Sequence, residues 1–187
     1  DRKVKSLRQH LKMNLKYMYI IALALAPMAG CAQAPETAKD GMNETKKDNP
    51  YYSRTDKTKL DLSDEVWQSV LSEDVYHIAR KKGTERAFTG KYWDHEGLGD
   101  YYCGACGNHL FVSDSKFASQ CGWPSFFEAI SETSVEYVRD SSHGMIRTEV
   151  VCGRCDGHLG HIFDDGPPPT HKRFCMNSVV LDFEPKD

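Results

Sequence analysis

The sequence lacks an apolar run long enough to cross a bilayer, for which roughly 20 consecutive residues are needed. Its longest run, Tyr17 to Met28, has only about 12. A basic segment precedes this run and two small residues follow it. Such an order is typical of a secretory signal peptide with its cleavage site. We therefore expect residues 1–30 to be a removed leader, with Met13 as an alternative true start.

The last residues of this leader resemble the lipobox of bacterial lipoproteins, in which the cysteine is lipidated. They read Met28-Ala29-Gly30-Cys31, where the pattern prefers leucine at the first position. Several lipid chains would anchor the protein stably, because each buried CH₂ contributes about 0.8 kcal/mol. We expect an exported protein held through Cys31 on a bacterial membrane, at its periplasmic or outer face. The alternative is an ordinary cleaved signal followed by an unmodified cysteine.

Positive charge is scarce beyond the leader. Residues 31–187 hold 18 Lys or Arg against 26 Asp or Glu, a net charge of −8. Such a surface repels phosphate backbones, so nucleic acid is not an expected partner. Residues 32–59 have almost no apolar side chains that could form a core. We interpret residues 31–59 as the lipidated cysteine and a flexible tether.

Residues 60–187 are predicted to form one folded domain. Ser63 and Ser72 are good N-caps, each followed by two acidic residues and an apolar stripe, which predicts two short helices. Alternating βαβ units are absent, which argues against a parallel sheet. Short runs typical of strands are Tyr101-Tyr102, Leu110 to Val112, Val135 to Val138, Met145 to Val151 and Ser178 to Phe183. The sequence therefore predicts a mainly β, antiparallel domain with short N-terminal helices.

Six cysteines remain beyond Cys31, and four of them form two C-x-x-C pairs. These are Cys103 with Cys106 and Cys152 with Cys155, in the similar segments CGACGNHL and CGRCDGHL. Two such turns can supply the four tetrahedral ligands of a structural zinc. The gap between the pairs exceeds the roughly 15–20 residues of an ordinary zinc ribbon, so the zinc would clip two ends of a larger sheet. Two disulfides, or a redox dithiol, are the alternatives in an exported protein.

The other two cysteines, Cys121 and Cys175, have surroundings that suggest thiol chemistry. Arg173 lies two residues before Cys175, and a nearby cation lowers the pKa of a thiol. His158 and His161 lie just upstream, and imidazoles beside a thiolate nucleophile form a recognisable constellation. The alternatives are two buried small hydrophobic residues or one structural disulfide, with the histidines structural or metal-binding.

From about Leu62 to Phe183 the chain resembles the methionine-R-sulfoxide reductases of the B type. The motifs that carry the resemblance occur in the same order: Gly83 to Gly90 (GTERAFTG), Lys116-Phe117, Cys121 to Phe126 (CGWPSF), Arg147 to Val150 (RTEV), Gly157 to Phe163 (GHLGHIF) and Arg173 to Ser178 (RFCMNS). The last motif usually reads RYCINS, so Phe174 and Met176 are conservative apolar replacements. The resemblance implies a β-tent-like fold of two sheets, a structural zinc and reduction of methionine-R-sulfoxide to methionine.

The resemblance also implies a role for each candidate residue. Cys175 matches the catalytic nucleophile, which becomes a sulfenic acid. Cys121 matches the resolving cysteine, absent from many relatives, which would form a Cys121–Cys175 disulfide for a thioredoxin-like donor to reduce. The polar group around the sulfoxide oxygen would consist of His158, His161 and Asn177, and His161 is the expected proton donor. The zinc ligands would be Cys103, Cys106, Cys152 and Cys155.

The same resemblance implies that Trp123 is an aromatic wall of the substrate pocket. Arg173, two residues before Cys175, is the second expected substrate-binding residue. The expected partners are oxidised proteins or peptides, a thioredoxin-like reductant and the bilayer, and the chain is expected to be monomeric. A non-catalytic, tethered zinc-binding module is one rival interpretation, but it leaves Cys121, Trp123 and Cys175 unexplained. A general thiol–disulfide oxidoreductase is another, but it would need its active pair in C-x-x-C form.

Overall fold

The computed structural model describes residues 49–186. The predicted signal peptide, Cys31 and residues 32–48 of the predicted tether lie outside the described residues. Within residues 49–186, no helix is both long enough and apolar enough to cross a membrane.

Two short helices lead the domain, as the sequence predicts. Helix α1 is Asp64–Val70 and helix α2 is Glu73–Ala79, with Ser63 and Ser72 at their N-cap positions. The Ser72 hydroxyl accepts a hydrogen bond from the backbone N–H three residues later. Acidic residues fill both first turns, where the helix dipole favours them. Each helix turns an apolar side against the rest of the domain, and Trp67 of α1 is almost wholly buried.

Nine β-strands follow within the described residues, and their pairings are antiparallel. Their bounds are β1 (Gly99–Cys103), β2 (His109–Val112), β3 (Lys116–Phe117), β4 (Ser125–Phe126), β5 (Val135–Asp140), β6 (Arg147–Cys152), β7 (His158–Phe163), β8 (Arg173–Met176) and β9 (Leu181–Pro185). The smaller sheet has the strand order β2-β1-β9 and the larger one β3-β4-β8-β7-β6-β5. The predicted class, mainly β with two antiparallel sheets and short helices, is confirmed.

The strand predictions need two corrections. Strands β3, β4, β7 and β8 were not predicted. Two predicted strands begin later than expected: the one from Met145 begins at Arg147, and the one from Ser178 begins at Leu181, because Ser178–Val180 is a 3₁₀-helix. The Glu85 carboxylate explains this short helix, since it accepts hydrogen bonds from the backbone N–H groups of Ser178 and Val179. A carboxylate in that position satisfies the free donors of a helical turn.

The hydrophobic core joins the two sheets and the helices. Phe111 of β2 and Phe126 of β4 stack with ring centroids 4.3 Å apart, which connects the smaller sheet to the larger one. Tyr101 of β1 meets Phe126 edge-on at 5.0 Å. The largest fully buried side chains of this core are Trp67, Tyr92, Tyr101, Phe111, Phe126, Leu110, Leu159 and Met176. This packing fixes the position of β4 and of its neighbour β8, which carries Cys175.

Residues 49–59 pack on the domain, although the sequence analysis placed them in the tether. The buried Arg154 guanidinium donates hydrogen bonds to the carbonyl oxygens of Tyr51 and Thr58. Asn49 is buried as well, and its amide donates to a carbonyl oxygen in the first C-x-x-C turn. Tyr51 also packs against the hydrophobic core, next to Trp67. Composition could not show this, because the partners of the segment lie far away along the chain. The folded part therefore includes residue 49 onward.

Candidate active site and metal centre

The four C-x-x-C cysteines meet in one buried cluster, with all four sulfurs within 4.8 Å of one another. The Sγ atoms of Cys103 and Cys155 are 3.8 Å apart, and those of Cys106 and Cys152 are 3.6 Å apart. A tetrahedral site with metal–sulfur bonds of about 2.3 Å places its ligand sulfurs about 3.8 Å from each other. The residues therefore fit a tetrahedral metal ion, and their grouping about one point favours a metal over two separate disulfides.

The two C-x-x-C turns have the same backbone geometry. The N–H of Gly107 donates to the carbonyl oxygen of Cys103 at 2.8 Å, and the N–H of Asp156 donates to that of Cys152 at 2.9 Å. Cys103 is the last residue of β1, and Cys152 is the last residue of β6. A metal bound here would tie the smaller sheet to the larger one, which agrees with the predicted clip between distant segments.

The larger sheet places four polar side chains in one row. Cys175 of β8 lies directly opposite Ser125 of β4 on one side and His161 of β7 on the other. His161 in turn lies opposite Glu149 of β6. Residues that are directly opposite in an antiparallel sheet point to the same face, with Cβ atoms about 4.5–5.5 Å apart. Strands distant in sequence thus bring together the thiol, an imidazole and a carboxylate.

The Cys121 thiol reaches this row from the loop before β4. Its Sγ atom lies 3.5 Å from that of Cys175. The hydrogen bond from Cys175, followed by those from Ser119 and Ser125, lowers the pKa of Cys121 to about 4. The same contact, together with burial, raises the pKa of Cys175, against the positive charge of Arg173.

The two sulfurs share one proton, so the first ionisation belongs to the pair and leaves one thiolate near neutral pH. In this geometry the negative charge lies on Cys121, whereas the sequence analysis assigns the attacking thiolate to Cys175. We regard the lowered pKa as the property of the pair, because a proton moving along one short hydrogen bond exchanges the two forms.

Each of the two predicted histidines is held by a carboxylate, and a cation neutralises that carboxylate. His158 Nδ1 lies 2.8 Å from Glu149, whose other oxygen binds Lys82 at 2.7 Å. His161 Nε2 lies 2.8 Å from Asp140, which also binds Arg147 at 2.6 Å. Burial, opposed by Glu149, lowers the pKa of His158. Hydrogen bonds, those of Ser142 first and then that of His161, lower the pKa of Asp140, so Asp140 stays ionised.

The two histidines line a cavity of about 550 Å³ together with Asp140, Glu149 and Arg147. Their rings meet edge-on with centroids 5.5 Å apart. The His161 ring nitrogen that is not bound to Asp140 is Nδ1, and the His158 nitrogen that is not bound to Glu149 is Nε2. A cavity lined by two oriented imidazoles can deliver a proton to a bound oxygen.

Arg173 is fixed beside Cys175 on strand β8. Its guanidinium makes a two-point contact with Asp165, at 2.8 and 2.9 Å, and lies 4.4 Å from the Phe163 ring centroid. Residues two apart on a strand share a face, so the charge lies on the Cys175 side of the sheet. The positive charge that is expected to lower the pKa of the Cys175 thiol therefore lies on the same face of the sheet as that thiol.

Asn177 and Trp123 meet through the backbone of Glu85. The Asn177 side-chain amide donates to the carbonyl oxygen of Leu159 at 3.0 Å and accepts from the Glu85 N–H at 3.0 Å. The Glu85 carbonyl oxygen accepts from the Trp123 indole N–H at 3.3 Å. Asn177 was expected at the sulfoxide oxygen, but in this structure both ends of its amide bind the backbone. Its evident effect is to hold the segment that orients Trp123, which lines a second cavity of about 360 Å³.

Replacing Gly160 with alanine is expected to lower both activity and stability. A Cβ atom at Gly160 would lie 2.0 Å from the Cys175 carbonyl oxygen, so β7 would have to move away from the strand that carries the thiol. Overpacking of this kind costs about 1–3 kcal/mol, which corresponds to a fall of about 3–10 °C in the melting temperature. Thermal unfolding and turnover measure the two effects. Gly144→Asn is the matched control, because Gly144 has φ +70° and an added side chain meets open space; equal losses in both variants would contradict the explanation.

Several residues that position this site were not predicted from the sequence. Glu149 lies inside the quoted RTEV motif and Glu85 inside GTERAFTG, yet neither was given a role. A charged residue directly before two valines, in a segment predicted to be a strand, was the available signal for Glu149, since a buried charge needs a partner. No such signal exists for Asp140, Asp165 and Ser119. Their roles depend on partners that only the folded chain brings near, on other strands or in a loop.

The fold places two thiols in contact, in a row with an imidazole and a carboxylate. These groups define the centre of a thiol-dependent oxidoreductase. A separate four-cysteine cluster holds the domain together. Comparisons with known proteins agree with this class. The model of the SelR domain matches residues 71–185. The chain is 54% identical over 133 residues to "Peptide methionine sulfoxide reductase MsrB" of Thiobacillus denitrificans, which covers 71% of this chain and 98% of that protein.

Two further relatives with the same description give the same result. The protein of Pseudomonas putida strain W619 is 54% identical over 129 residues, covering 69% of this chain and 97% of its own length. That of Agrobacterium fabrum is 52% identical over 127 residues, covering 68% and 94%. The chain belongs to the SelR-domain family of methionine sulfoxide reductases of the MsrB type.

Proposed function

We propose that this protein reduces methionine-R-sulfoxide, free or within a polypeptide, to methionine with two of its own thiols. The observation that carries the proposal is the 3.5 Å contact between the Cys121 and Cys175 sulfurs, with His161 next in the row. Sulfurs this close become a disulfide of about 2.05 Å after a small movement. Membership of the reductase family supports the same reaction.

In the first step, the Cys175 thiolate attacks the sulfoxide sulfur. The oxygen gains negative charge as the new bond forms, and His161 donates a proton to it. The oxygen passes to the Cys175 sulfur, which is oxidised to a sulfenic acid, while the substrate sulfur is reduced by two electrons and leaves as methionine. Asp140 orients the His161 ring, and Glu149 does the same for His158.

In the second step, Cys121 attacks the sulfenic acid on Cys175. A disulfide forms and the sulfenic oxygen leaves as water, which carries the proton of the Cys121 thiol. An external dithiol then reduces the disulfide by exchange and restores both thiols. A thioredoxin-like protein is the proposed donor, because the loop before β4 leaves Cys121 partly exposed.

Substrate binding is proposed for the side chains around the thiol pair. The methyl group of the sulfoxide would pack on Trp123, whose indole Glu85 holds in place. Arg173 favours the thiolate form of Cys175 through its charge. Asn177 contributes to substrate binding indirectly, through its hydrogen bonds to the backbones of Leu159 and Glu85.

The four-cysteine cluster is proposed to hold one structural zinc ion. Zinc with four thiolate ligands has no open coordination position, so it stabilises the fold and takes no part in the reaction. The ligands would be Cys103, Cys106, Cys152 and Cys155.

Export and anchoring are proposed from the sequence pattern of residues 1–31. A lipid on Cys31 would hold a monomeric reductase at a bacterial membrane, on its periplasmic or outer face. The mature chain's acidic charge favours peptide and protein substrates over nucleic acid.

An assay with separate epimers tests the proposed reaction. Zinc-loaded protein with dithiothreitol should reduce the R epimer of a blocked methionine sulfoxide and leave the S epimer unchanged, as measured by chromatography of the products. Cys121→Ser should retain turnover with dithiothreitol but lose it with a thioredoxin-type protein, because only a disulfide suits exchange with a protein dithiol. Folded, zinc-loaded protein that reduces neither epimer would overturn the proposal in favour of a non-catalytic zinc-binding module.

A further inference from the structure

Two serine hydroxyls surround the Cys121 sulfur. The Ser119 Oγ atom lies 2.9 Å from Cys121 Sγ and 2.6 Å from Ser125 Oγ. Ser125 Oγ is itself 3.5 Å from Cys121 Sγ. The two hydroxyls and the sulfur therefore form a closed triangle of hydrogen-bonding atoms beside Cys175.

The two serines are held in different ways. Ser125 is almost wholly buried on β4, directly opposite Cys175. Ser119 lies two residues before Cys121 in the loop that precedes β4, and it is only partly buried. The Ser125 hydroxyl is thus fixed by the sheet, and through its 2.6 Å contact it fixes the Ser119 hydroxyl against the sulfur.

We propose that Ser119, supported by Ser125, is a positioning residue for the second half of the reaction, in which Cys121 attacks the sulfenic acid on Cys175. This inference rests on the proposed function. Each hydroxyl has one proton to donate. The Ser125 hydroxyl also lies 3.3 Å from the Trp123 carbonyl oxygen, but the 2.6 Å contact between the two serine oxygens needs a proton between them. When Ser125 supplies that proton, Ser119 donates its own to a thiolate at Cys121. A hydrogen bond to the charged form stabilises that form and points the sulfur toward Cys175.

The Ser119 hydroxyl is needed because the hydrogen-bond donors around Cys121 change between the first and the second step of the reaction. While Cys175 is a thiol, its own S–H group donates to Cys121. Once Cys175 is a sulfenic acid, that S–H group no longer exists and the remaining O–H belongs to the leaving oxygen, so Cys121 needs another donor to hold it as an oriented nucleophile. The Cys121 proton passes to His161, which gave up its own proton in the first step. In the closing step, the Cys121–Cys175 bond forms and the S–O bond of Cys175 breaks. The oxygen leaves as water, with its own hydrogen and the proton that His161 returns, so no further reductant or oxidant is needed.

The charged and titratable groups around Cys121 can be separated from the serines. On β8 these groups are Cys175 and Arg173, and Arg173 is paired with Asp165. On β7 the group is His161, which lies beyond Cys175 in the row. In a Cys175→Ala background, Arg173 and His161 are present both with and without the Ser119 hydroxyl. Any difference in the reactivity of Cys121 between the two proteins therefore comes from that hydroxyl.

Single-turnover mixing of the reduced, zinc-loaded protein with the R sulfoxide, without external reductant, tests the inference. Methionine formation reports the first step, and loss of free thiols reports disulfide formation. For Ser119→Ala, we expect the ratio of the disulfide rate to the methionine rate to fall roughly 10- to 100-fold, the effect of one hydrogen bond to a charged group. A sulfenic acid trap should then label Cys175. Ser119→Thr, which keeps the hydroxyl, should restore the ratio, and Ser69→Ala, on the exposed side of α1, should leave it unchanged.

A second measurement does not depend on turnover. In the Cys175→Ala background, alkylation of Cys121 at mildly acid pH should be about tenfold slower when Ser119 is also alanine, because the thiolate loses its donor. Equal alkylation with and without Ser119, or an unchanged ratio of the two rates, would overturn the inference while leaving the reductase intact. Absence of methionine formation by the parent protein would instead overturn the proposed function.

Discussion

Replacing Cys175 with serine is expected to lower methionine-R-sulfoxide turnover by at least about 10⁴-fold. A serine hydroxyl at neutral pH is a poor nucleophile without a base to activate it, and it cannot become the oxygen acceptor that a thiolate does. The change removes one sulfur from a half-buried position outside the four-cysteine cluster, so zinc content and melting temperature should stay close to those of the parent. Steady-state turnover with dithiothreitol measures the loss.

The matched control is Cys121→Ser, which removes the other sulfur of the same pair. With dithiothreitol this variant should keep turnover near the parent rate, because a small thiol can reduce the sulfenic acid directly. If Cys175→Ser retained activity within tenfold of the parent, or if Cys121→Ser lost activity as severely, the division into nucleophile and resolver would be wrong.

Loss of the metal centre is expected to unfold the domain. A structural zinc contributes about 10–16 kcal/mol of apparent binding free energy in zinc-finger peptides, whereas whole domains are stable by only about 5–15 kcal/mol. Cys106→Ser should therefore lose zinc and lower the melting temperature by more than about 20 °C. Metal analysis and circular dichroism during heating measure both quantities.

The same cysteine-to-serine change at Cys121 controls for the chemistry of the substitution, because Cys121 lies outside the cluster. It should retain one zinc per chain and unfold near the parent temperature. A Cys106→Ser protein that is folded, zinc-free and equally stable would show that the cluster has no structural role.

The helices and the metal cysteines could be predicted because their signals are local. An N-cap serine with acidic neighbours specifies where α1 and α2 begin, within a few residues of chain. Each C-x-x-C turn is likewise complete within eight residues, and its repetition at Cys152 shows the pairing without a structure. The hydrogen bonds of Gly107 and Asp156 have the repeated pattern that the repeated sequence suggests.

Strands β7 and β8 were missed for different reasons, and the two-residue strands β3 and β4 are too short to show any pattern. Strand β8 does alternate, with Phe174 and Met176 buried and Cys175 on the polar face, but only four residues display the alternation. In β7, His158 to Gly160 are buried in succession, and Gly160 lies where two backbones approach closely, so the strand lacks the alternation by which strands are recognised. Sequences at functional sites are expected to break local rules in this way.

The partners of the histidines illustrate a second limit. Asp140 reaches His161 across 21 positions of sequence, and Glu149 reaches His158 across nine. Only the register of β5, β6 and β7 brings them together. Similarly, Arg154 binds residues 49–59 across about a hundred positions of sequence.

The location of the two thiols bears on how this enzyme can evolve. Cys175 belongs to β8, which pairs with β4 on one side and β7 on the other. Moving this residue would therefore disturb the hydrogen bonds of both neighbouring strands. Cys121 belongs to a loop, and among residues 49–186 its sulfur bonds only with Cys175, two serine hydroxyls and a loop carbonyl. Mutation can therefore add, remove or relocate the resolving thiol without rebuilding the scaffold. A protein of this family can therefore adapt to a different reductant by changing the loop that carries Cys121. The strand that carries Cys175, and with it the first step of the reaction, stays unchanged.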